Sequence, residues 1–228
     1  MTEVREKLQN IITTKNTRLC FSADLVDPRE LLIMLEKVAP YIAVVKIHYD
    51  ILKFDERVMR PWKFIEGMNM LKERYNFMIM EDRKFFDISS IVEKQFAFFR
   101  DWVDLVTVHG LVNDAVIKCI EAGVLLVSQM SNNTYDITGN CIEIYKNNAN
   151  VVGFITQNKI DYGNIMSFTP GISFEDTQIE DQRYRNIDNI SINDLPDIII
   201  VGRAIYNAPN IVEAVRDMNA KINREPPV

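Results

Sequence analysis

Eight short apolar runs, mostly separated by amphipathic segments, constrain this sequence more than any other feature. They are RLCFSADL from Arg18, IAVVKIH from Ile42, NFMIME from Asn76, VDLVTVH from Val103, GVLLVSQM from Gly123, VVGFIT from Val151, IMSFTPG from Ile165 and DIIIVGR from Asp197. Each is apolar on both faces and rich in β-branched residues, as a parallel strand covered by helices must be. Between them, PRELLIMLEKVA, RPWKFIEGMNMLKERY, SSIVEKQFAFFRDW, LVNDAVIKCIEA and PNIVEAVRDMNAKI carry apolar residues at the three-four spacing of amphipathic helices. Asp27 before Pro28 supplies a cap for the first of these. Eightfold strand–helix alternation predicts an α/β fold, the (β/α)8 TIM barrel, with its active site at the C-terminal ends of the strands. Two departures are visible. The gap between the sixth and seventh runs is too short for a full helix. The polar and aromatic stretch from Ile172 to Asn193 reads as a long functional loop.

The chain has 228 residues, 47% hydrophobic and 25% charged, which suits one sizeable core and a single barrel domain over residues 1–228. A net charge of −6 argues against nucleic acid or an anionic membrane surface as partner. Three cysteines without metal-ligand spacing suit a reduced, cytoplasmic protein. The N-terminus MTEVREKLQN is charged and helical in pattern, unlike a signal peptide, and the tail NREPPV reads as loose. No apolar run approaches the roughly 18 residues that a membrane span needs.

The strand ends hold the chemistry. The first strand ends in Ser22-Ala-Asp24, the second in Lys46-Ile-His48 and the third in Asp82-Arg-Lys84. A spacing of two puts both members of each pair on the same side of a strand. Any one such pair is ordinarily a pair of solvated charges. Three neighbouring strands together aim Asp24, Lys46, His48, Asp82 and Lys84 at one place, with Asp87 just beyond. His109, which ends the fourth run, is assigned a structural role. The eighth strand ends in Gly202 and Arg203, an open backbone amide beside a cationic fork, where barrels often bind phosphate. Gln182 and Tyr184 in the preceding loop add neutral donors. No Gly-rich dinucleotide fingerprint and no metal-ligand motif is present, so no cofactor is expected.

These motifs resemble the orotidine 5′-monophosphate decarboxylase family, in its eukaryotic-like monofunctional form. The family's Asp-x-Lys-x-x-Asp signature stands here as MEDRKFFDIS, and the likeness continues in order through LCFSAD, VVKIHYDIL, SQMS, VVGFIT, FTPGI, QRY and DIIIVGR. The resemblance implies a homodimer with shared active sites. In it Lys46, Asp82, Lys84 and Asp87 would form an alternating charged network, with Asp87 entering from the second subunit. Asp24 and His48 would contact the ribose and Ser22 the pyrimidine edge. Ser131 would bind the pyrimidine amide and touch Gln182, Pro170 would pack near the base, and Ile88 would line the pocket beside the partner's base. Gln182, Tyr184, Gly202 and Arg203 would hold the phosphate. Two positions depart from the family pattern. Ile91 stands where a threonine usually helps bind ribose across the dimer, and it cannot hydrogen-bond. The lid FEDTQIEDQRY is acidic and lacks the usual glycines.

The implied reaction removes the carboxylate of orotidine 5′-monophosphate without a cofactor, as the last step of pyrimidine nucleotide synthesis. Lys84 would stabilise and protonate the resulting carbanion. Two alternatives remain open at this point. One is a metal-dependent sugar-phosphate decarboxylase or aldolase of the same suprafamily. The other is a catalytically silent nucleotide-binding protein.

Overall fold

The computed structural model describes residues 3–132 and 134–224; most of the proline-rich tail expected to be loose lies outside them. All eight apolar runs form strands: β1 (Leu19–Ser22), β2 (Val44–Ile47), β3 (Met78–Phe85), β4 (Leu105–His109), β5 (Gly123–Val127), β6 (Val151–Ile155) and β7 (Met166–Thr169), with the eighth following a small separate sheet. That sheet consists of β8 (Ile172–Ser173), β9 (Thr177–Ile179) and β10 (Gln182–Asn186), and β11 (Ile198–Val201) then completes the barrel. The eight barrel strands close in the order β1-β11-β7-β6-β5-β4-β3-β2, and every pairing is parallel.

The helices are α1 (Glu3–Lys15), α2 (Pro28–Val38), α3 (Pro61–Tyr75), α4 (Ser89–Phe96), α5 (Asp114–Lys118), α6 (Thr138–Asn147), α7 (Arg203–Tyr206) and α8 (Ile211–Ile222). Asp27 caps α2 as expected, accepting from the Arg29 and Glu30 amides with Pro28 in the first turn. No helix lies between β6 and β7, as the short gap predicts. The helix α6 was not singled out from the sequence, because its segment TGNCIEIYKN is mostly polar and buries chiefly Cys141 and Ile144. The stretch expected to be one long loop instead forms the β8-β10-β9 sheet. Its hairpin strands are polar on both faces, so no buried period announces them.

Alternation along the strands sorts the core into two layers. Cys20, Val44, Met78, Met80, Leu105, Leu125, Phe168 and Ile200 point into the barrel, where Leu8 and Ile11 of α1 pack against the same cluster. Phe21, Val45, Ile79, Val106, Leu126, Phe154 and Val201 point outward beneath the surrounding helices. Among the described residues, no helix is long and apolar enough to cross a membrane.

The segment SSIVEKQFAFFRDW carries four large aromatic residues, more than one helix face against the barrel requires, which would offer part of them to an interface. Phe96, Phe99 and Trp102 are in fact buried in their own chain, and only Phe98 of the four is exposed. The reason is that α4 stops at Phe96, and the turns that follow bring Phe99 and Trp102 onto the ring of Tyr49.

The close fit of β6 against β7 allows a direct test. Gly153 pairs with Met166, and a Cβ built on it would lie 2.1 Å from the Met166 carbonyl oxygen. Overpacking a core costs about 1–3 kcal/mol when side chains can give way. Here the obstruction is backbone, so Gly153→Ala is expected to reach the top of that range in urea denaturation. An unchanged midpoint would mean that the two strands part there freely.

Candidate functional site

A cavity of about 280 Å³ opens at the C-terminal ends of the barrel strands. Twelve of the fourteen expected site residues line it: Ser22, Asp24, Lys46, His48, Asp82, Lys84, Ser131, Pro170, Gln182, Tyr184, Gly202 and Arg203. The remaining two, Asp87 and Ile88, do not reach the cavity of their own chain and are exposed beyond β3.

The charged end of the cavity grows directly out of the barrel interior. Cys20, Val44, Met80 and Leu105 point inward, so the residues two further on, Ser22, Lys46, Asp82 and Thr107, form the next inward layer. Lys46 Nζ lies 3.0 Å from Asp24 Oδ1 and 3.1 Å from Asp82 Oδ2. Lys84 Nζ donates to Asp82 Oδ1 at 2.9 Å. Ser22 Oγ donates to the Asp24 carboxylate. Two lysines and two aspartates thus alternate and cancel in charge, the condition under which buried ions are tolerated.

Lys84 does not arrive by simple alternation, as the spacing of two implied. The pairing of β3 with β4 jumps from Glu81↔Val106 to Phe85↔Val108, which leaves a bulge of unpaired residues on β3. Lys84 sits in that bulge at φ +51°, left-handed backbone that a residue with a Cβ adopts only under constraint. Sequence reasoning also missed Thr107. It is fully buried, donates to Asp82 Oδ1 at 2.8 Å and accepts from the Lys84 amide at 2.8 Å. A threonine inside an apolar strand carries no signal of its own, because threonine is a common strand former.

Burial pushes the Asp82 carboxyl up, but Lys46 and Lys84 outweigh it and hold the group well below the usual carboxylate range. Burial likewise pushes Lys46 down, and Asp82 and Asp24 reverse this and hold it above the lysine range. Asp24 is also lowered: Lys46 overcomes the opposing effect of burial. His48 is lowered by burial and by Lys46. Its Nε2 lies 2.8 Å from Lys46 Nζ. An ammonium only donates, so Nε2 accepts and the ring is neutral with its proton on Nδ1. The 3.4 and 3.7 Å approaches of His48 to Asp82 and Asp24 are therefore not ion pairs. His109, expected to be structural, stacks on Phe86 and accepts from the Leu111 amide.

The other end of the cavity is built from the β9–β10 hairpin and the end of β11. Ser131 Oγ donates to Gln182 Oε1 at 2.8 Å, the contact that the resemblance implied. Gly171, at φ +75°, lets this hairpin pack close, since a Cβ there would meet the Arg183 carbonyl at 2.8 Å. Arg203 follows Gly202 at the mouth, and its Nη1 is buried without a hydrogen-bond partner. Its Nη2 donates to Glu180 at 3.0 Å. Asn132 and Asp181, which bond to each other across the cavity wall, also went unmarked in the sequence. Among the described residues, no group of three or more His, Cys, Asp or Glu side chains is arranged to hold a metal ion.

A closed parallel barrel with a paired lysine–aspartate cluster at one end of its mouth and an open arginine at the other defines a (β/α)8-barrel enzyme acting on an anionic small molecule. Comparison with known proteins makes this specific. The model of the orotidine 5′-phosphate decarboxylase / HUMPS family matches residues 17–218. The orotidine 5′-phosphate decarboxylase of Candida boidinii is 33% identical over 96% of this chain and 89% of its own length. That of Saccharomyces cerevisiae is 32% identical over 89% of this chain and 83% of its own. Among solved structures, the Pyrococcus horikoshii orotidine 5′-phosphate decarboxylase superposes with a TM-score of 0.69 at 21% identity, covering 91% of this chain and all of that one. The chain belongs to the orotidine 5′-phosphate decarboxylase / HUMPS family.

Glu81 gives this site a measurable pH dependence. Its side chain is fully buried behind Asp82 and accepts only from the Tyr49 amide. Burial pushes its carboxyl up from 4.5 to about 8, and Asp50 and Asp82 add to this while Lys46 opposes it. The folded state therefore holds a proton between those values that the unfolded chain releases, so stability falls as pH rises through that window. Asp82 and Lys46 titrate outside it. Glu81→Gln cannot titrate and should remove about 2 kcal/mol of the loss between pH 6 and pH 9. Urea denaturation of both proteins at the two pH values checks this; equal pH dependence would mean that Glu81 is ionised throughout.

Proposed function

We infer that this chain converts orotidine 5′-monophosphate to uridine 5′-monophosphate, with Lys84 as the proton donor. The observation that carries this reading is the Lys46–Asp82–Lys84 chain of charge-assisted contacts at the bottom of the cavity. Loss of carbon dioxide from the substrate leaves an electron pair on a ring carbon with no conjugated acceptor. Fixed charges that are already oriented stabilise such a centre better than solvent does. The Lys84 ammonium supplies that charge and then the proton, so a C–H bond replaces the C–C bond that broke. The neutral amine regains its proton from solvent. Asp82 orients Lys84 and lies beside the departing carboxylate, and Lys46 compensates its charge.

Substrate recognition follows from the rest of the cavity. Asp24 and neutral His48 take the ribose hydroxyls, Ser22 and Ser131 take the pyrimidine, and Pro170 packs on it. Gln182, Tyr184, the Gly202 amide and Arg203 bind the phosphate. Arg203 lines the cavity with Tyr184 beside its guanidinium, which supports this assignment. The named relatives act on orotidine 5′-phosphate, which also favours a nucleotide over a sugar phosphate. The metal-dependent alternative meets an obstacle in Asp82. Both of its oxygens already accept from ammonium groups, and one from Thr107 as well.

Asp87 and Ile88 complete the site, in this reading, from the second subunit of a homodimer. Two observations support it. Neither residue reaches its own cavity, and Phe86 and Ile88 beside them are 61% and 66% exposed, more than a solvated turn requires of large apolar side chains. A twofold axis near this turn would carry Asp87 of each chain to the other's Lys84.

Lys84→Ala should lower turnover of orotidine 5′-monophosphate by at least about 10²–10⁴-fold while the fold survives, and EDTA should leave wild-type turnover unchanged. Near-normal turnover in the purified variant would sink the assignment. Mixing inactive Lys84→Ala and Asp87→Ala proteins should restore activity, because a heterodimer regains one site with both residues intact; no recovery after confirmed subunit exchange argues for self-contained sites. Glu180→Gln frees Arg203 from its lid partner before substrate arrives. Exposed ion pairs are weak, so its Michaelis constant should fall by no more than about fivefold, with turnover unchanged. A raised Michaelis constant would mean that Glu180 helps to bind.

A further inference from the structure

We propose that Thr107, on β4, is a positioning residue for the reaction, whose single hydroxyl fixes the Asp82 carboxylate and the backbone of Lys84 together. The proposal rests on the reading of Lys84 as proton donor.

The hydrogen-bond directions at Thr107 are forced. A hydroxyl has one proton to give. The Lys84 amide, 2.8 Å away, can only donate, so Thr107 Oγ1 accepts there. Its own proton is then free for Asp82 Oδ1, also at 2.8 Å. The hydroxyl thus reads both neighbours in one defined orientation.

Its position explains why such a tether is needed. Where β3 leaves its register with β4, the strand pairing no longer holds the Lys84 amide. A side-chain acceptor on β4 takes the place of the missing ladder bond. Lys84 is held at φ +51°, a left-handed conformation that is strained for a residue with a Cβ. Such backbone persists only where its surroundings over-determine it. The bulge turns the Lys84 side chain into the cavity, where Nζ meets the same Asp82 oxygen that Thr107 holds. Loss of the hydroxyl would therefore loosen both ends of the Asp82–Lys84 pair. Thr107 itself is fully buried and does not line the cavity, so it has no route to the substrate.

The test compares Thr107→Val, which keeps the shape and loses the hydroxyl, with Thr107→Ser, which keeps the hydroxyl. Turnover of orotidine 5′-monophosphate is measured across pH, and binding of uridine 5′-monophosphate is titrated as a readout independent of turnover. Misplacing a reacting group by a fraction of an ångström to an ångström typically costs up to about 10²-fold. Thr107→Val is expected to lose about 10- to 100-fold in kcat. Its Michaelis constant and product affinity should each stay within about threefold, because phosphate and ribose contacts remain. Thr107→Ser should keep most of the wild-type kcat. If Thr107→Val fails to fold, Thr107→Ala against Thr107→Ser isolates the same oxygen. The proposal is overturned if the variants lacking the hydroxyl turn over normally, if the serine variant loses as much as they do, or if product binding falls along with kcat. A wild type that binds the product and does not turn over would remove the parent reading and this one with it; normal wild-type turnover with an indifferent Thr107→Val removes only this one.

Discussion

The arrangement of this active site depends on the charge of one carboxylate. Asp82 is the point at which two strands of lysine chemistry meet, Lys46 from β2 and Lys84 from β3, and a hydroxyl from β4 closes the third side. An unpaired carboxylate in this position would take up a proton or stay unfolded, because desolvation of a charge costs several kcal/mol. Paired as it is, Asp82 stays ionised and holds the ammonium groups of Lys46 and Lys84 at the cavity wall. The contrast with its neighbour is instructive. Glu81 differs from Asp82 by one residue and faces the outer layer, where its hydrogen-bond partner is an amide and not a cation, and its carboxyl is pushed up to about 8. Alternation along one strand thus separates an acid held low by two ammonium groups from one pushed up by burial.

The two ends of the cavity divide the work. The lysine–aspartate end continues the interior packing of the barrel, and Asp24, Lys46 and Asp82 each have two or more partners in it. The arginine end is assembled from a polar hairpin that buries almost nothing. Such a segment has little apolar contact to hold it in one place and opens at low cost. In this chain the hairpin carries its own acid, Glu180, against Arg203. A carboxylate on an arginine stands in for part of a phosphate. Under the proposed function, a phosphate would exchange with Glu180 at Arg203 and bring more charge, so that binding far from the reacting carbon would favour closure.

The sequence by itself determined the barrel, and for a plain reason. Eight both-face-apolar runs need cover on both sides, and the amphipathic segments between them supply it, as in a parallel sheet closed into a barrel. It also determined most of the site, because residues spaced by two at the ends of neighbouring strands must share the inward face. Ser22, Lys46 and Asp82 follow that rule directly. The polar hairpin and α6 escaped it, since neither buries a periodic apolar face. What only the tertiary structure decided is how Lys84 enters the cavity and what holds it there. The left-handed turn at Lys84 has no glycine or asparagine to announce it, and its support, Thr107, lies 23 residues away on another strand. A bulge is a property of two strands and their register, so no pattern along one of them can specify it. Asp87 and Ile88 make the same point: the resemblance marks them as part of the chemistry, and the fold of a single chain leaves them outside its own cavity.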